Sequence, residues 1–125
     1  MDMDKIKVLI VDDEEALRHV LSGELINEGY LVGTADDGDA AIAMIKQKSF
    51  DIVLLDIKMP RVDGFEVLKF IKKDYPATKV IMLPNEKDAD LKNAIESKKL
   101  GAEDFVSKPY DLVDLLTTIE RVLEE

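Results

Sequence analysis

Charged side chains follow three of the short apolar runs in this sequence, and their types suit phosphoryl chemistry at a metal ion. Asp12 and Asp13 come directly after one run, Asp56 ends another, and Lys108 follows a third. Carboxylates that lie close together repel one another, and a hard divalent cation such as Mg²⁺ relieves that repulsion. A lysine offers a point charge suited to phosphate oxygens. If the fold brings these four residues together, they could hold a metal ion and support phosphoryl transfer.

Each of these residues also has an ordinary structural interpretation. An acidic residue after a strand, such as Asp12 or Asp13, commonly caps the next helix. Asp56 could be a turn residue, and Lys108, which precedes a proline, could belong to a surface loop. Joint placement at one edge of a sheet would favour the functional interpretation.

Length and composition bound the class of protein. The chain has 125 residues, the size of one ordinary domain, and 46% of them are hydrophobic, which is enough for one core. Cysteine is absent, which excludes a disulfide framework and thiolate metal sites. The net charge of −10 disfavours direct binding to nucleic acid. No segment resembles a signal peptide or a membrane span, so we expect one cytoplasmic domain.

Apolar runs alternate with helical patterns along the chain. The predicted strands are KVLIV (7–11), YLVGT (30–34), FDIVLLD (50–56), KVIML (79–83) and DFVS (104–107). The predicted helices cover about 14–27, 37–47, 65–73, 88–99 and the segment after Asp111, a predicted N-cap. Apolar strands joined by helices predict an open, doubly wound parallel sheet of the α/β class. Sites in such folds form beyond the carboxyl ends of the strands, where the acids and Lys108 stand.

These segments resemble the receiver domain of two-component response regulators, including the single-domain chemotaxis type. The match covers nearly the whole chain and is carried by VLIVDDE (8–14), DIVLLDIKMPRVDG (51–64), the apolar run before Pro84, and GAEDFVSKPY (101–110). The resemblance implies one receiver domain over residues 1–125 with a flavodoxin-like (βα)5 fold. Its five-stranded sheet would have the order 2-1-3-4-5. It also implies a signalling domain rather than an enzyme in the usual sense.

The resemblance further implies a role for each charged residue. Asp56 would accept a phosphoryl group from a histidine kinase or a phosphotransfer protein, and the domain would assist its own phosphorylation and dephosphorylation. Mg²⁺ would be bound by Asp12, Asp13, Asp56 and the backbone carbonyl of Lys58. Lys108 would pair with the phosphoryl group. An unknown output partner would bind the face formed by the fourth helix, the fifth strand and the fifth helix, on a monomer or weak homodimer.

The end of the fourth predicted strand departs from the family pattern. Receivers usually have Thr or Ser at the position of Pro84, and proline has neither a hydroxyl nor an N–H. Asn85 stands where a small residue is usual, and its amide could supply a donor in place of the hydroxyl. Phe105 matches the aromatic residue that changes rotamer on activation. The Lys108–Pro109 peptide bond would be cis in this family.

Three functions therefore remain to be weighed. The leading one is a Mg²⁺-dependent phospho-acceptor domain whose switching is altered by Pro84. The second is a non-switching pseudo-receiver that acts as a protein-interaction module, which Pro84 favours and the acids with Lys108 oppose. The third is an Asp-dependent phosphatase, which would need a substrate-capping insertion for which 125 residues leave little room. His19 lies inside the first predicted helix and is expected to be structural rather than a metal ligand.

Overall fold

The computed structural model describes residues 5–85 and 96–125. The strands in these ranges are β1 (Lys7–Val11), β2 (Leu31–Ala35), β3 (Ile52–Asp56), β4 (Lys79–Leu83) and β5 (Asp104–Phe105). The helices are α1 (Glu15–Asn27), α2 (Gly38–Gln47), α3 (Gly64–Asp74) and a C-terminal helix (Leu112–Leu123). All strand pairs are parallel and the order is β2-β1-β3-β4-β5, which confirms the predicted fold class and strand order.

Two apolar cores lie on opposite faces of the sheet. In β1, Leu9 and Val11 pack into the core under α2 and α3, whereas Val8 and Ile10 pack into the core under α1 and the C-terminal helix. Successive side chains of a strand alternate between faces, so a strand covered on both faces is apolar throughout. The helix residues buried in these cores include Leu21, Leu25, Ala41, Ile45, Val67, Leu68, Ile71, Leu115, Ile119 and Val122.

Aspartate side chains cap the N-termini of three of the helices. Asp37 Oδ1 accepts a hydrogen bond from Ala40 N at 2.8 Å, and Asp63 Oδ1 accepts one from Glu66 N at 3.0 Å. Asp111, the predicted N-cap, accepts one from Val113 N at 2.8 Å. Each bond satisfies an N–H group of the first helical turn that lacks a partner inside the helix.

β5 is shorter than the predicted strand 104–107, and Pro84 explains why. Val106 N still donates to Met82 O at 2.9 Å, and Lys108 N donates to Pro84 O at 2.7 Å. A regular parallel ladder would place one more bond between these two, from the N–H of residue 84 to the carbonyl of Val106. Proline has no N–H, so the ladder is interrupted at this point.

The predicted fourth helix, 88–99, lies mostly outside the described residues. Its last turn, residues 96–99, is described and is helical. Glu86, which follows Asn85 after the fourth strand, also lies outside the described residues. Within the described ranges, no helix has the length and apolar character needed to cross a membrane.

Candidate functional site

The carboxyl ends of β1 and β3 bring three aspartates together. Asp12 and Asp13 follow β1 directly, and Asp56 is the last residue of β3. One carboxylate oxygen from each of the three lies within 4.8 Å of the others. Asp12 and Asp56 are buried, whereas Asp13 is exposed. The chain crosses from one side of β1 to the other between β2 and β3, and ligands bind at such a reversal in open α/β sheets.

Hydrogen bonds hold both the backbone and the side chain of Asp12. Its N–H donates to Ala35 O at 3.2 Å, and its carbonyl accepts from Arg18 Nη1 at 2.6 Å. Its Oδ1 accepts from Glu14 N at 2.9 Å. The side chain is fully buried, so these contacts fix where its second oxygen, Oδ2, lies.

Lys108 joins the end of β5 to the aspartates. Its Nζ donates to Asp12 Oδ2 at 3.0 Å and lies 3.4 Å from Asp56 Oδ1. The lysine is only 9% exposed, and its peptide bond to Pro109 is cis. The structure thus brings Asp12, Asp13, Asp56 and Lys108 into one group, here called the acidic site.

Electrostatics in the acidic site follow from burial and repulsion. Burial raises the pKa of Asp56 to about 6, and the negative charge of Asp12 adds to this more than Asp13 does, while Lys108 opposes it. For Lys108, burial alone would lower the pKa, but its hydrogen bond to Asp12 and the charge of Asp56 outweigh burial and raise it. The site therefore favours a bound cation, because excess negative charge is held at a buried position.

The loop after β3 folds back tightly and leaves an opening beside Asp13. Gly64 N donates to Ile57 O at 2.8 Å, and a Cβ at Gly64 would lie 2.2 Å from the carbonyl oxygen of Asp56, so only glycine fits. Next to this loop is an open depression of about 540 Å³, lined by Asp13, Ile57, Lys58, Met59, Pro60, Asp63 and Phe65. Lys58 and Asp13 therefore border the same opening.

Pro84, Asn85 and Phe105 form a second region, here called the β4–β5 end. Pro84 is buried and follows Leu83, the Cα partner of Asp56 in the pairing of β3 with β4. Asn85 is exposed and bridges to Lys108 in the backbone ladder. Phe105 is partly buried against the core under α2 and α3. These residues adjoin the acidic site through the backbone around Lys108.

Sequence reasoning missed two contacts of the acidic site. Glu14 Oε1 lies 3.5 Å from Lys108 Nζ, and Arg18 holds the carbonyl of Asp12. Arg18 follows the acidic run Asp12-Asp13-Glu14 closely enough for that run to have indicated its contact with Asp12, whereas no local signal indicated the contact of Glu14 with Lys108. His19 is exposed on α1.

Fold and site together define an α/β signalling domain of the receiver type. The chain belongs to the response regulator receiver domain family, whose model matches residues 8–120. A curated relative, the probable transcriptional regulator ycf27 of Guillardia theta, is 42% identical over 95% of this chain and 46% of its own length. NtrX of Azorhizobium caulinodans, a nitrogen assimilation regulatory protein, is 37% identical over 94% of this chain and 26% of its own length.

Solved structures give the same result. The receiver domain of NtrX from Brucella abortus has a TM-score of 0.88 and 36% identity, covering 94% of this chain and 98% of that one. The chemotaxis protein CheY4 of Vibrio cholerae has a TM-score of 0.88 and 35% identity, covering 95% of this chain and 99% of that one.

Family membership establishes the general role. Receiver domains belong to two-component signalling systems, generally bind Mg²⁺ at an acidic pocket, and interact with histidine kinases or phosphotransfer proteins. The acidic site has the carboxylates that such a pocket needs. This chain spans a quarter to a half of the length of the curated relatives described above.

Proposed function

We propose that this domain accepts a phosphoryl group on Asp56 from a histidine kinase or a phosphotransfer protein. Asp12, Asp13, Asp56 and the backbone carbonyl of Lys58 would bind Mg²⁺. Lys108 would pair with a phosphoryl oxygen. The domain would also assist the later hydrolysis of its own aspartyl phosphate, and it would act in the cytoplasm.

The transfer is an in-line substitution at phosphorus. An oxygen of Asp56 forms a bond to phosphorus while the P–N bond of the donor phosphohistidine breaks, and the imidazole leaves with the electron pair. Bound Mg²⁺ would supply positive charge for the phosphoryl oxygens. Lys108 already lies 3.4 Å from Asp56 Oδ1, so little movement is needed for it to meet the incoming group. Since the pKa of Asp56 is about 6, its carboxylate is mainly ionised at neutral pH and able to attack.

One observation carries the proposal: three carboxylates and a buried ammonium meet at one edge of the sheet, at the carboxyl ends of the strands. Helix capping would explain one carboxylate, but it does not explain Asp12 and Asp56 on different strands with Lys108 Nζ at 3.0 and 3.4 Å from them. Burying such charges is costly unless they are paired or bind a metal, and one ammonium cannot neutralise three carboxylates, so the arrangement points to function.

The test is the intact mass of the protein after exposure to acetyl phosphate and Mg²⁺. We expect one added phosphoryl group in the wild type and none in Asp56→Asn. Asp74→Asn, which makes the same change at an exposed residue at the end of α3, should still be labelled. Chelation of Mg²⁺ should prevent labelling. Absence of label in the wild type with acetyl phosphate and with a histidine kinase donor would refute the proposal.

A second candidate is a pseudo-receiver that binds partners without switching. It is favoured by Pro84, which is buried at the end of β4 and has no hydroxyl to offer to a phosphoryl group. The acidic site argues against it, because Asp56 and Lys108 are both in place. Labelling of Asp56 without any change in partner binding would select this candidate.

Output would pass through a protein partner on the face made by the predicted fourth helix, β5 and the C-terminal helix. The names of two relatives, the probable transcriptional regulator ycf27 and the DNA-binding transcriptional regulator NtrC of Proteus hauseri, describe transcriptional regulators, and this chain covers 46% and 25% of their lengths. We propose that this domain does not itself bind nucleic acid, because its net charge is −10. It would act as a monomer or a weak homodimer.

A further inference from the structure

We infer that Glu14 selects among phosphodonors by their charge, disfavouring small free dianions relative to monoanions. The inference rests on the proposed function, because it concerns the same transfer to Asp56. It assigns Glu14 a role that acts through Lys108, and Glu14 is therefore a positioning and specificity residue rather than a catalytic one.

The backbone of Glu14 is fixed beside the acidic site. Its N–H donates to Asp12 Oδ1 at 2.9 Å, and its carbonyl accepts from Arg18 N at 3.1 Å. Glu14 is the N-cap residue of α1, yet its side chain makes no capping hydrogen bond within the described ranges. Residues at this position commonly use a side-chain oxygen to accept from the first helical turn. Here the carboxylate extends to Lys108 instead, with Oε1 at 3.5 Å from Nζ.

Lys108 is shared among carboxylates that differ in exposure. A lysine ammonium has three N–H donors, and in the described structure Nζ lies 3.0 Å from Asp12, 3.4 Å from Asp56 and 3.5 Å from Glu14. An incoming phosphoryl group needs part of this capacity. The side chain of Asp12 is fully buried, whereas that of Glu14 is 63% exposed, so Glu14 is the partner that water can most easily replace. An incoming phosphoryl group must therefore either displace the Glu14 carboxylate from Lys108 or approach against the negative charge of that carboxylate.

The charge of Glu14 acts most strongly on donors that arrive alone. Asp12, Asp56 and Glu14 lie within 3.5 Å of Lys108 Nζ, and Asp13 lies beside Asp12 and Asp56. Four carboxylates against one ammonium and the two charges of bound Mg²⁺ would leave about one negative charge, so a small dianion meets net repulsion. A phosphoryl group on a partner's histidine is held in place by the protein–protein contact, which can offset this repulsion. One charge at an exposed position changes such a rate by roughly 2- to 5-fold.

The experiment compares two donors and two matched variants. Transfer from acetyl phosphate breaks a P–O bond and releases acetate, whereas transfer from phosphoramidate breaks a P–N bond and releases ammonia. At pH 7 the first donor is a dianion and the second is mainly a monoanion. Second-order labelling rates are measured by intact mass for the wild type, Glu14→Gln and Glu15→Gln, each at a Mg²⁺ concentration shown to saturate it. Glu15 is the adjacent exposed glutamate in the first turn of α1 and provides the same change of charge.

We expect Glu14→Gln to accept acetyl phosphate roughly 2- to 5-fold faster than the wild type, with a smaller gain for phosphoramidate. Both gains should shrink in 1 M salt, where the screening length is about 3 Å. Glu15→Gln should stay close to the wild type. A Glu14→Gln rate with acetyl phosphate no higher than that of Glu15→Gln would overturn the inference. So would a gain that is equal for both donors and unaffected by salt. If the wild type is labelled and either of these results is found, this inference is wrong and the proposed function stands. If neither the wild type nor any variant is labelled, the inference and the proposed function both fail.

Discussion

The acidic site and the β4–β5 end are adjacent, but different numbers of contacts hold them. Asp12 is fixed by three hydrogen bonds through its backbone and one carboxylate oxygen, and its other oxygen is paired with Lys108. At the β4–β5 end, β5 has only two residues, and the ladder is interrupted where Pro84 has no N–H to donate. In the proposed function, the transfer at the acidic site and its transmission through the β4–β5 end would therefore lie in regions that are held unequally. Such a division would let the proposed transfer reaction persist while the response to it varies.

The largest expected effect comes from removing the ammonium group of Lys108 from the acidic site. Lys108→Met should slow labelling by acetyl phosphate roughly 100-fold, because one preorganised charge on the reacting oxygens is typically worth this much. The rate is measured by intact mass at saturating Mg²⁺. Lys73→Met, the same change at an exposed residue of α3, should leave the rate unchanged. A rate for Lys108→Met within a few fold of wild type would mean that the lysine is mainly structural.

The second expected effect is a gain of stability in Asp56→Asn, measured by urea unfolding in EDTA at pH 7.5. The pKa of Asp56 is raised from 3.8 to about 6 by folding, so the ionised carboxylate destabilises the folded state above that range. Each pKa unit corresponds to about 1.4 kcal/mol, so we expect a gain in unfolding free energy of about 1–3 kcal/mol.

The pH dependence gives the sign of this effect. Between about pH 4 and 6 the folded wild type binds more protons at Asp56 than the unfolded chain does, so its stability falls as the pH rises. The advantage of Asp56→Asn should therefore vanish below about pH 4 and grow towards pH 7. Saturating Mg²⁺ should reduce it, because a cation relieves the same repulsion. An Asp56→Asn protein that is less stable than wild type at pH 7.5 in EDTA would show that the pairing with Lys108 outweighs burial and repulsion.

The fold was largely predictable from the sequence, and the reason is visible in β1 and β3. Both are covered on two faces, so each appears as an apolar run, which Asp12 directly follows in β1 and Asp56 ends in β3. Parallel strands place such ends at one edge, and this was enough to predict that Asp12 and Asp56 would meet.

The missed features depend on long-range geometry. Glu14 contacts Lys108, which is 94 residues away in the chain, and no local pattern encodes that distance. The early end of β5 follows from Pro84, which comes directly after the neighbouring strand β4, so the run DFVS alone could not predict it. The pKa shift of Asp56 likewise depends on its burial in the fold and on the charges of Asp12 and Lys108, which are distant in the chain.

The smallest expected effect on stability, and the sharpest test of the comparison, is Pro84→Thr. This substitution supplies a hydroxyl near the end of β3 and an N–H that can donate to Val106. The unfolded chain gains conformational freedom worth about 0.4–1 kcal/mol, and one added hydrogen bond offsets this by about 1 kcal/mol, so the free energy of unfolding should change by less than about 1 kcal/mol.

The coupling between phosphorylation of Asp56 and the β4–β5 end should change more. In ¹H–¹⁵N spectra recorded with and without acetyl phosphate and Mg²⁺, Pro84→Thr should show larger shifts than wild type for Phe105 and the C-terminal helix. The same substitution combined with Asp56→Asn is the control and should show none of these shifts. Wild-type changes as large as those of Pro84→Thr would mean that the β4–β5 end transmits the signal without the hydroxyl, and the two regions would then be coupled through the backbone around Lys108.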